Sequence, residues 1–321
     1  MAEGDIPTEK DHVPAVETPL VPPSPPAIED FAATGEAAAG TIGMIPGRTR
    51  IERARTIVVY TLLFAIALVY FVPFLWMIST SLKTLPETAY FSLLPKHPTL
   101  HAYREALTTF HFARYAANSA GLAATVTCIN VFLCSLGGYA FARLRFPGRE
   151  VLFIAVLATL MIPDQLRLVP IFVLFTKWHL LGHYYGYTLI KLASAAQLFL
   201  MRQYFLTIPR DLEEAAKLDG AGYFKTFWKV MLPLAGPAVA AVAILEFEGT
   251  WNDFFWPLII FTSSPSHFTL PVGIFSFVSE YQTLWPQLMA SAAIAITPIA
   301  VIYVFFQRYF VAGVASAGVK G

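Results

Sequence analysis

Several apolar runs in this chain exceed the roughly 18 residues that allow a helix to cross a bilayer, the first over about 57–79. Lipid offers no partner to a backbone N–H or C=O, so only helices or a closed barrel can span it. The runs are continuous rather than alternating, which favours helices over a barrel. Composition agrees. The chain is 56% hydrophobic and 13% charged, whereas soluble domains hold about 45–50% apolar and about 25% charged residues. A net charge of +1 carries no sign of nucleic-acid binding. The expectation is an all-α integral membrane protein in contact with lipid.

Six spans are expected, over about 57–79, 116–141, 151–175, 185–206, 234–262 and 286–307. Arg48, Arg50, Arg53 and Arg55 precede the first, and Arg143, Arg145 and Arg149 follow the second. Basic clusters beside spans mark the cytoplasmic side, so both termini are expected there. Lys83, Lys96, Arg104 and Arg114 in the first outer segment weaken that bias. The third span is expected to be interrupted at Pro163-Asp164 and at Pro170. Residues 1–47 are rich in Pro, Ala and acidic side chains with no periodic apolar face. They read as a disordered cytoplasmic tail or a partner-binding one, followed by a six-span membrane domain over 48–321. They lack the basic start and short apolar core of a signal peptide. Cys128 and Cys134 lie on different faces of the second span, which argues against a disulfide or metal site. The scattered His97, His101, His111, His179 and His183 form no ligand set.

Between the fourth and fifth spans lies the longest polar, helix-rich stretch, Pro209 to Pro237. Pro209 can open a helix, Asp211 and Glu214 have capping-box spacing, and Asp219-Gly220 supplies a stop. Leu212, Ala215, Ala216 and Leu218 are expected on one apolar face. A second helix is expected from Ala221, carrying Phe224, Phe227, Trp228 and Met231, before Pro233 begins the fifth span. Two short helices at an angle form a rigid knob that could push on a cytoplasmic partner. An amphipathic hairpin lying in the interface is the plainer reading.

The order Glu214-Ala215-Ala216, three residues, Gly220, nine residues, Val230, two residues, Pro233 resembles the EAA signature of the permease subunits of binding-protein-dependent ABC importers. Val230 stands where that family more often has Ile. Further similarity runs through Asn118-Ser119, Gly138 to Arg143 with Phe146-Pro147-Gly148, Met161-Ile162-Pro163 with Pro170, Trp251-Asn252-Asp253, and the terminal Ala317 to Gly321. The last features are most similar to the MalG-like branch, which handles carbohydrates. The resemblance implies a type I importer permease fold whose coupling segment, 209–233, fits a groove of a separate ATPase. Glu214, Ala215, Ala216, Asp219, Gly220, Ala221, Phe227 and Pro233 would be its coupling residues. The implied partners are a second permease subunit, an ATP-binding subunit dimer and an extracytoplasmic solute-binding protein, in a prokaryotic cell membrane. ATP and Mg would sit on the ATPase, with no cofactor on this chain. Consistent with that, no G-x-x-x-x-G-K-[ST] phosphate loop occurs in the sequence.

Polar groups inside the apolar runs mark the second candidate site. At about 100° per residue, Glu246, Thr250 and Asp253 share a stripe, while Glu248 and Asn252 lie on an adjoining face. A carboxylate at mid-bilayer costs about 2.5–3.5 kcal/mol on insertion scales, so this span must face protein or a wet cavity. Asp164, Gln165 and Arg167 stand where prolines break the third span, and broken helices at mid-depth line transport cavities. One reading is a pathway for a polar solute, lined by Asp164, Gln165, Glu246, Glu248, Trp251, Asn252 and Asp253, with Trp251 stacking on a sugar face. The other is a buried hydrogen-bond network, Arg167 pairing with an acidic group, and Trp251 anchoring at the interface. The importer reading covers sugars, polyols or glycerol phosphates. A proton-coupled carrier using the same carboxylates is the rival, and an integral membrane enzyme using Asp253, Glu246 and Asp164 is a distant third.

Overall fold

A computed structural model describes residues 50–108, 110–278 and 283–318, with side chains from 54 onward except those of 302 and 306–318. The expected tail, 1–47, and terminal residues 319–321 lie outside the described residues. Two units are present, one ending at Leu68 and one beginning at Val69. In the first, the large apolar side chains from Ile57 to Leu68 are exposed. The second holds all the remaining elements.

The fold is all-α, with no strand among the described residues. Helix α1, Arg50–Ser81, runs through the first apolar stretch. After α2, His101–Thr108, comes α3, Phe112–Arg143, the axis of the bundle. It packs along α7, Ala195–Thr207, and α10, Gly236–Trp251. Small residues allow this. A Cβ on Gly138 would come within 2.6 Å of the Met201 Cβ and 2.9 Å of the Arg202 amide nitrogen. Membrane helices use such residues to approach closely, since lipid supplies no hydrophobic drive between them. At the far end of α3, Asn118 donates to the carbonyls of Ser266 and Phe268, both at 2.9 Å, and Ser119 accepts the Leu270 N–H at 2.8 Å. These bonds hold α12, Leu270–Phe275, against the bundle.

The third apolar run is α4, Arg149–Ala158, a 3₁₀ turn to Met161, and α5, Asp164–Lys177, with a 99° bend between the two parts. Pro163 makes that break. Pro170 does not, because it lies inside α5. The fourth run was expected as one helix and is two: α6, Tyr184–Ile190, and α7. At 1.5 Å per residue, the 13 residues of α7 rise about 20 Å, short of an apolar core about 30 Å thick. The fifth run is bent by 78° between α9, Tyr223–Leu234, and α10. It breaks again at Asn252–Phe254, before α11, Phe255–Ile260. The last helix, α13, Trp285–Gly318, outruns the expected 286–307. By length and composition three helices can cross a membrane unbroken, or up to five if each bent pair counts as one span. The six expected spans therefore correspond to three continuous helices, the bent pair α4–α5, the divided α6–α7, and α10 with α11, the 78° bend from α9 lying at the start of the fifth run.

Candidate functional site

The motif segment folds as α8, Asp211–Leu218, followed by α9. The expected capping box is absent. Asp211 is the first helical residue, and the Arg210 carbonyl accepts from the Glu213 and Glu214 amides at 2.9 and 3.1 Å. Asp211, Glu213 and Glu214 in the first turn still favour the positive end of the helix dipole. The expected stop is present. Gly220 has φ +75°, its N–H donates to Lys217 at 3.0 Å, and that of Ala221 donates to Ala216 at 2.9 Å. This paired closure needs a left-handed residue, which glycine supplies cheaply. The second helix begins at Tyr223, two residues later than expected, because Gly222 is still extended.

The apolar face expected of α8 is divided. Ala216 is buried, but Leu212 is exposed and Leu218 is 89% exposed. The other buried residue of α8 is Glu213. Glu214, Ala215, Asp219 and Gly220 are all exposed, beside exposed Tyr223 and Phe224. Phe227 and Met231 turn inward to Tyr139, Met201 and Phe205, so α9 is packed on the bundle. Residues Phe227–Met231 form a π-helical turn, and Pro233 is exposed before the bend into α10.

Two residues outside the expected set hold this knob in place. Arg143 ends α3 with its Nε 3.1 Å from the Glu213 Oε1, and both side chains are buried. Its Nη2 donates to the carbonyls of Phe205 and Ile208, at the end of α7. The sequence marks Arg143 as one of a basic cluster and as the end of the Gly138 to Arg143 similarity, and gives Glu213 no role. The available signal was spacing, since Glu213 stands three residues from Ala216 and shares its side of α8.

The intramembrane polar residues divide into three groups. Glu246 is buried and accepts from Gln197 Nε2 at 2.6 Å and Thr250 Oγ1 at 3.2 Å, so its stripe with Thr250 is a hydrogen-bond network joining α10 to α7. Asp253 lies past the end of α10. It pairs with Lys191 Nζ at 2.9 Å and accepts from Tyr187 Oη at 3.1 Å and the Trp256 N–H at 3.3 Å. Asp164 pairs with Arg167 and accepts the Trp256 indole N–H at 3.3 Å. Trp256 thus ties Asp164, at the α4–α5 break, to Asp253, at the α10–α11 break, while Lys191 brings in the break between α6 and α7. The third group, Gln165, Glu248 and Asn252, is exposed. Trp251 is no stacking platform and no interface anchor. It is 4% exposed, stacks on Phe247 at 5.9 Å, and donates its indole N–H to Ala295 at 3.1 Å.

The sequence pattern of the family described as "Binding-protein-dependent transport system inner membrane component" matches residues 135–316, more than half of the chain. The chain belongs to that family. It is a membrane protein and a transport component, the permease subunit of an ABC importer. One relative is the arabinooligosaccharides transport system permease protein AraQ of Halalkalibacterium halodurans, 38% identical over 204 residues, 64% of this chain and 73% of its own. Another is the sn-glycerol-3-phosphate transport system permease protein UgpE of Yersinia pestis, 38% identical over 198 residues, 61% of this chain and 70% of its own. Among solved structures, a chain of a bacterial ABC transporter involved in the import of the acidic polysaccharide alginate superposes with a TM-score of 0.72. It is 26% identical and is covered to 99%, against 83% of the present chain. The permease thus has the type I importer fold.

Proposed function

We propose that this permease moves a neutral sugar or related polyol across a prokaryotic cell membrane by alternating access, driven by ATP hydrolysis on a separate subunit. The observation that carries the reading is α8. It is closed by the left-handed Gly220, exposes Glu214, Ala215, Asp219 and Gly220, and is anchored by Glu213 to the ends of two bundle helices. A rigid exposed knob can receive a push; a mobile loop would absorb it. The ATPase dimer would grip α8 with Ala221 beside it, while Phe227 and Pro233 seat α9 on the bundle. ATP and Mg belong to that partner, and this chain binds no cofactor of its own. A second permease subunit would complete the membrane pathway, and an extracytoplasmic solute-binding protein would deliver the solute. In this reading both termini and α8 are cytoplasmic, with 1–47 a tail outside the 48–321 permease domain.

The solute class follows from charge pairing. Arg167 is paired with Asp164 and Lys191 with Asp253, so the cations near the helix breaks already hold carboxylates. That favours a neutral polyhydroxylated solute over a phosphate ester or a uronate. The pathway is assigned to exposed Gln165, Glu248 and Asn252, with Asp164 and Asp253 behind them. Glu246 belongs to the supporting network, and its two hydrogen bonds disfavour the proton-carrier alternative. The test is purification of the permease from its own membrane in mild detergent, with mass spectrometry of the accompanying chains. A second permease and an ATPase in stable ratio are expected. A chain that purifies alone or as a homodimer rejects the importer reading. Uptake into liposomes holding the full assembly should be competed by arabinotriose and not by glycerol 3-phosphate.

A further inference from the structure

We infer that Arg143 is a positioning residue that makes α8, α3 and α7 move as one body, so that a push on α8 becomes a displacement of membrane helices. The inference rests on the reading of α8 as the ATPase-docking helix and adds the link that reading lacks. Most of α8 is exposed, and apart from Ala216 its only buried side chain is Glu213. The Glu213 carboxylate meets a guanidinium that is itself committed elsewhere. Arg143 is the last residue of α3, and its Nη2 donates to the carbonyls of Phe205 and Ile208 where α7 ends. One guanidinium therefore touches three elements, α3, α7 and α8.

The chemistry of the fork explains why arginine stands there. Guanidinium offers five donors in fixed directions, so Nη2 can donate to both carbonyls while Nε faces the Glu213 carboxylate as an ion pair. The Phe205 carbonyl already accepts the Ile208 N–H at 3.3 Å, and Arg143 gives it a second donor and gives the Ile208 carbonyl, just past the end of α7, one of its own. The cation also sits at the negative end of both α3 and α7. Just behind the fork, the Tyr139 ring lies 5.8 Å from that of Phe205 and 5.3 Å from that of Phe227, and Gly138 allows close contact with Met201. The α3–α7 joint is therefore tight, and the ion pair is the polar connection from it to α8.

The test uses the assembled importer, with Cys128 and Cys134 replaced by alanine and spin labels on Leu218→Cys in α8 and Leu206→Cys in α7, both exposed positions. The label separation is measured without nucleotide and after trapping with ATP and vanadate, alongside phosphate release. With the native pair, the separation is expected to stay the same in both states. In Glu213→Gln, the separation is expected to shift by several ångströms on trapping while the ATPase stays bound and phosphate release continues. Glu213→Asp keeps the charge and is expected to restore the native behaviour. An unchanged separation in Glu213→Gln overturns the inference. So does loss of the ATPase from that variant, which would make the pair a stability element alone, and so does an Asp variant that behaves like Gln. Failure of the docking reading looks different, because the unsubstituted permease would then purify without an ATPase.

Discussion

Substituting alanine at three glycines of α3 separates helix contact from helix propensity. A Cβ at Gly121 meets nothing within 4 Å, one at Gly137 meets the flexible Leu198 Cδ1 at 2.9 Å, and one at Gly138 meets the Met201 Cβ at 2.6 Å and the Arg202 backbone nitrogen at 2.9 Å. Alanine gains about 0.5–1 kcal/mol over glycine inside a helix, and that gain is common to all three. Only Gly138→Ala forces backbone apart. Ordinary contact begins at 3.4 Å and no rotamer change moves a Cβ or a backbone nitrogen, so α3 and α7 must separate locally by about 0.8 Å. Such overpacking costs about 1–3 kcal/mol, and this is the expected stability difference between Gly121→Ala and Gly138→Ala. Gly137→Ala should lie close to Gly121→Ala, because Leu198 can rotate away. The assay is equilibrium unfolding of the purified permease in detergent–SDS mixtures, followed by tryptophan fluorescence. Equal stability of the Gly121 and Gly138 variants would refute a close α3–α7 approach.

Gly220→Val puts a β-branched residue at φ +75°, at a backbone cost of about 1–2 kcal/mol, but its Cβ meets nothing within 4 Å. Membrane insertion and yield should therefore survive while ATPase co-purification and uptake are lost, and Gly220→Asn should keep more of both. Lys191→Met strands the buried Asp253 carboxylate and should cost about 3 kcal/mol or more in the same unfolding assay, with Lys191→Met/Asp253→Asn recovering most of it. Trp251→Phe removes one hydrogen bond to Ala295 and should cost about 1 kcal/mol of stability without changing the KM of uptake. Glu248→Gln, on an exposed face, should do the reverse.

The elements most legible in the sequence were those written in long apolar runs or in glycine and proline. The continuous α1 and α3, the break at Pro163 and the left-handed stop at Gly220 all follow from local chemistry. What escaped was decided by contacts distant in sequence. The division of the fourth run has one local signal, Ser194-Ala195-Ala196-Gln197, a helix-start pattern whose hydroxyl caps α7 by accepting the Gln197 N–H at 3.5 Å, but no glycine or proline marks it. Leu212, Ala215 and Ala216 have the spacing of a buried face, yet Leu212 and Ala215 stay exposed and Glu213 turns inward because Arg143 awaits it 70 residues earlier in the chain. Trp251 sits beside Asn252 and Asp253, yet the helix ends between them, so the indole enters the core while Asn252 stays exposed.

The break in the fourth run shows why these polar residues sort as they do. Within an apolar surrounding, each backbone group freed by a helix break must find a partner. The Lys191 carbonyl accepts from Asn130 Nδ2 at 3.4 Å, while the Ser194 carbonyl already accepts the Leu198 N–H at 2.9 Å and takes Cys134 Sγ at 3.5 Å as a second, weaker donor; both α3 donors lie four residues apart. Asn130 is fully buried, so its place in a membrane helix is accounted for by a defect in a different helix. Asp253 does similar work for α11 by accepting the Trp256 N–H, and Asp164 joins it through the same tryptophan's indole. Asn130, Asp253 and Asp164 therefore serve the chain's own breaks, whereas buried Glu246 joins α10 to α7. Glu248, Asn252 and Gln165 are exposed and make no such repair. Desolvating groups of this kind without a partner costs free energy, so they need water, a solute or a second subunit beside them, which supports the proposed permeation surface on their side of α10 and α5.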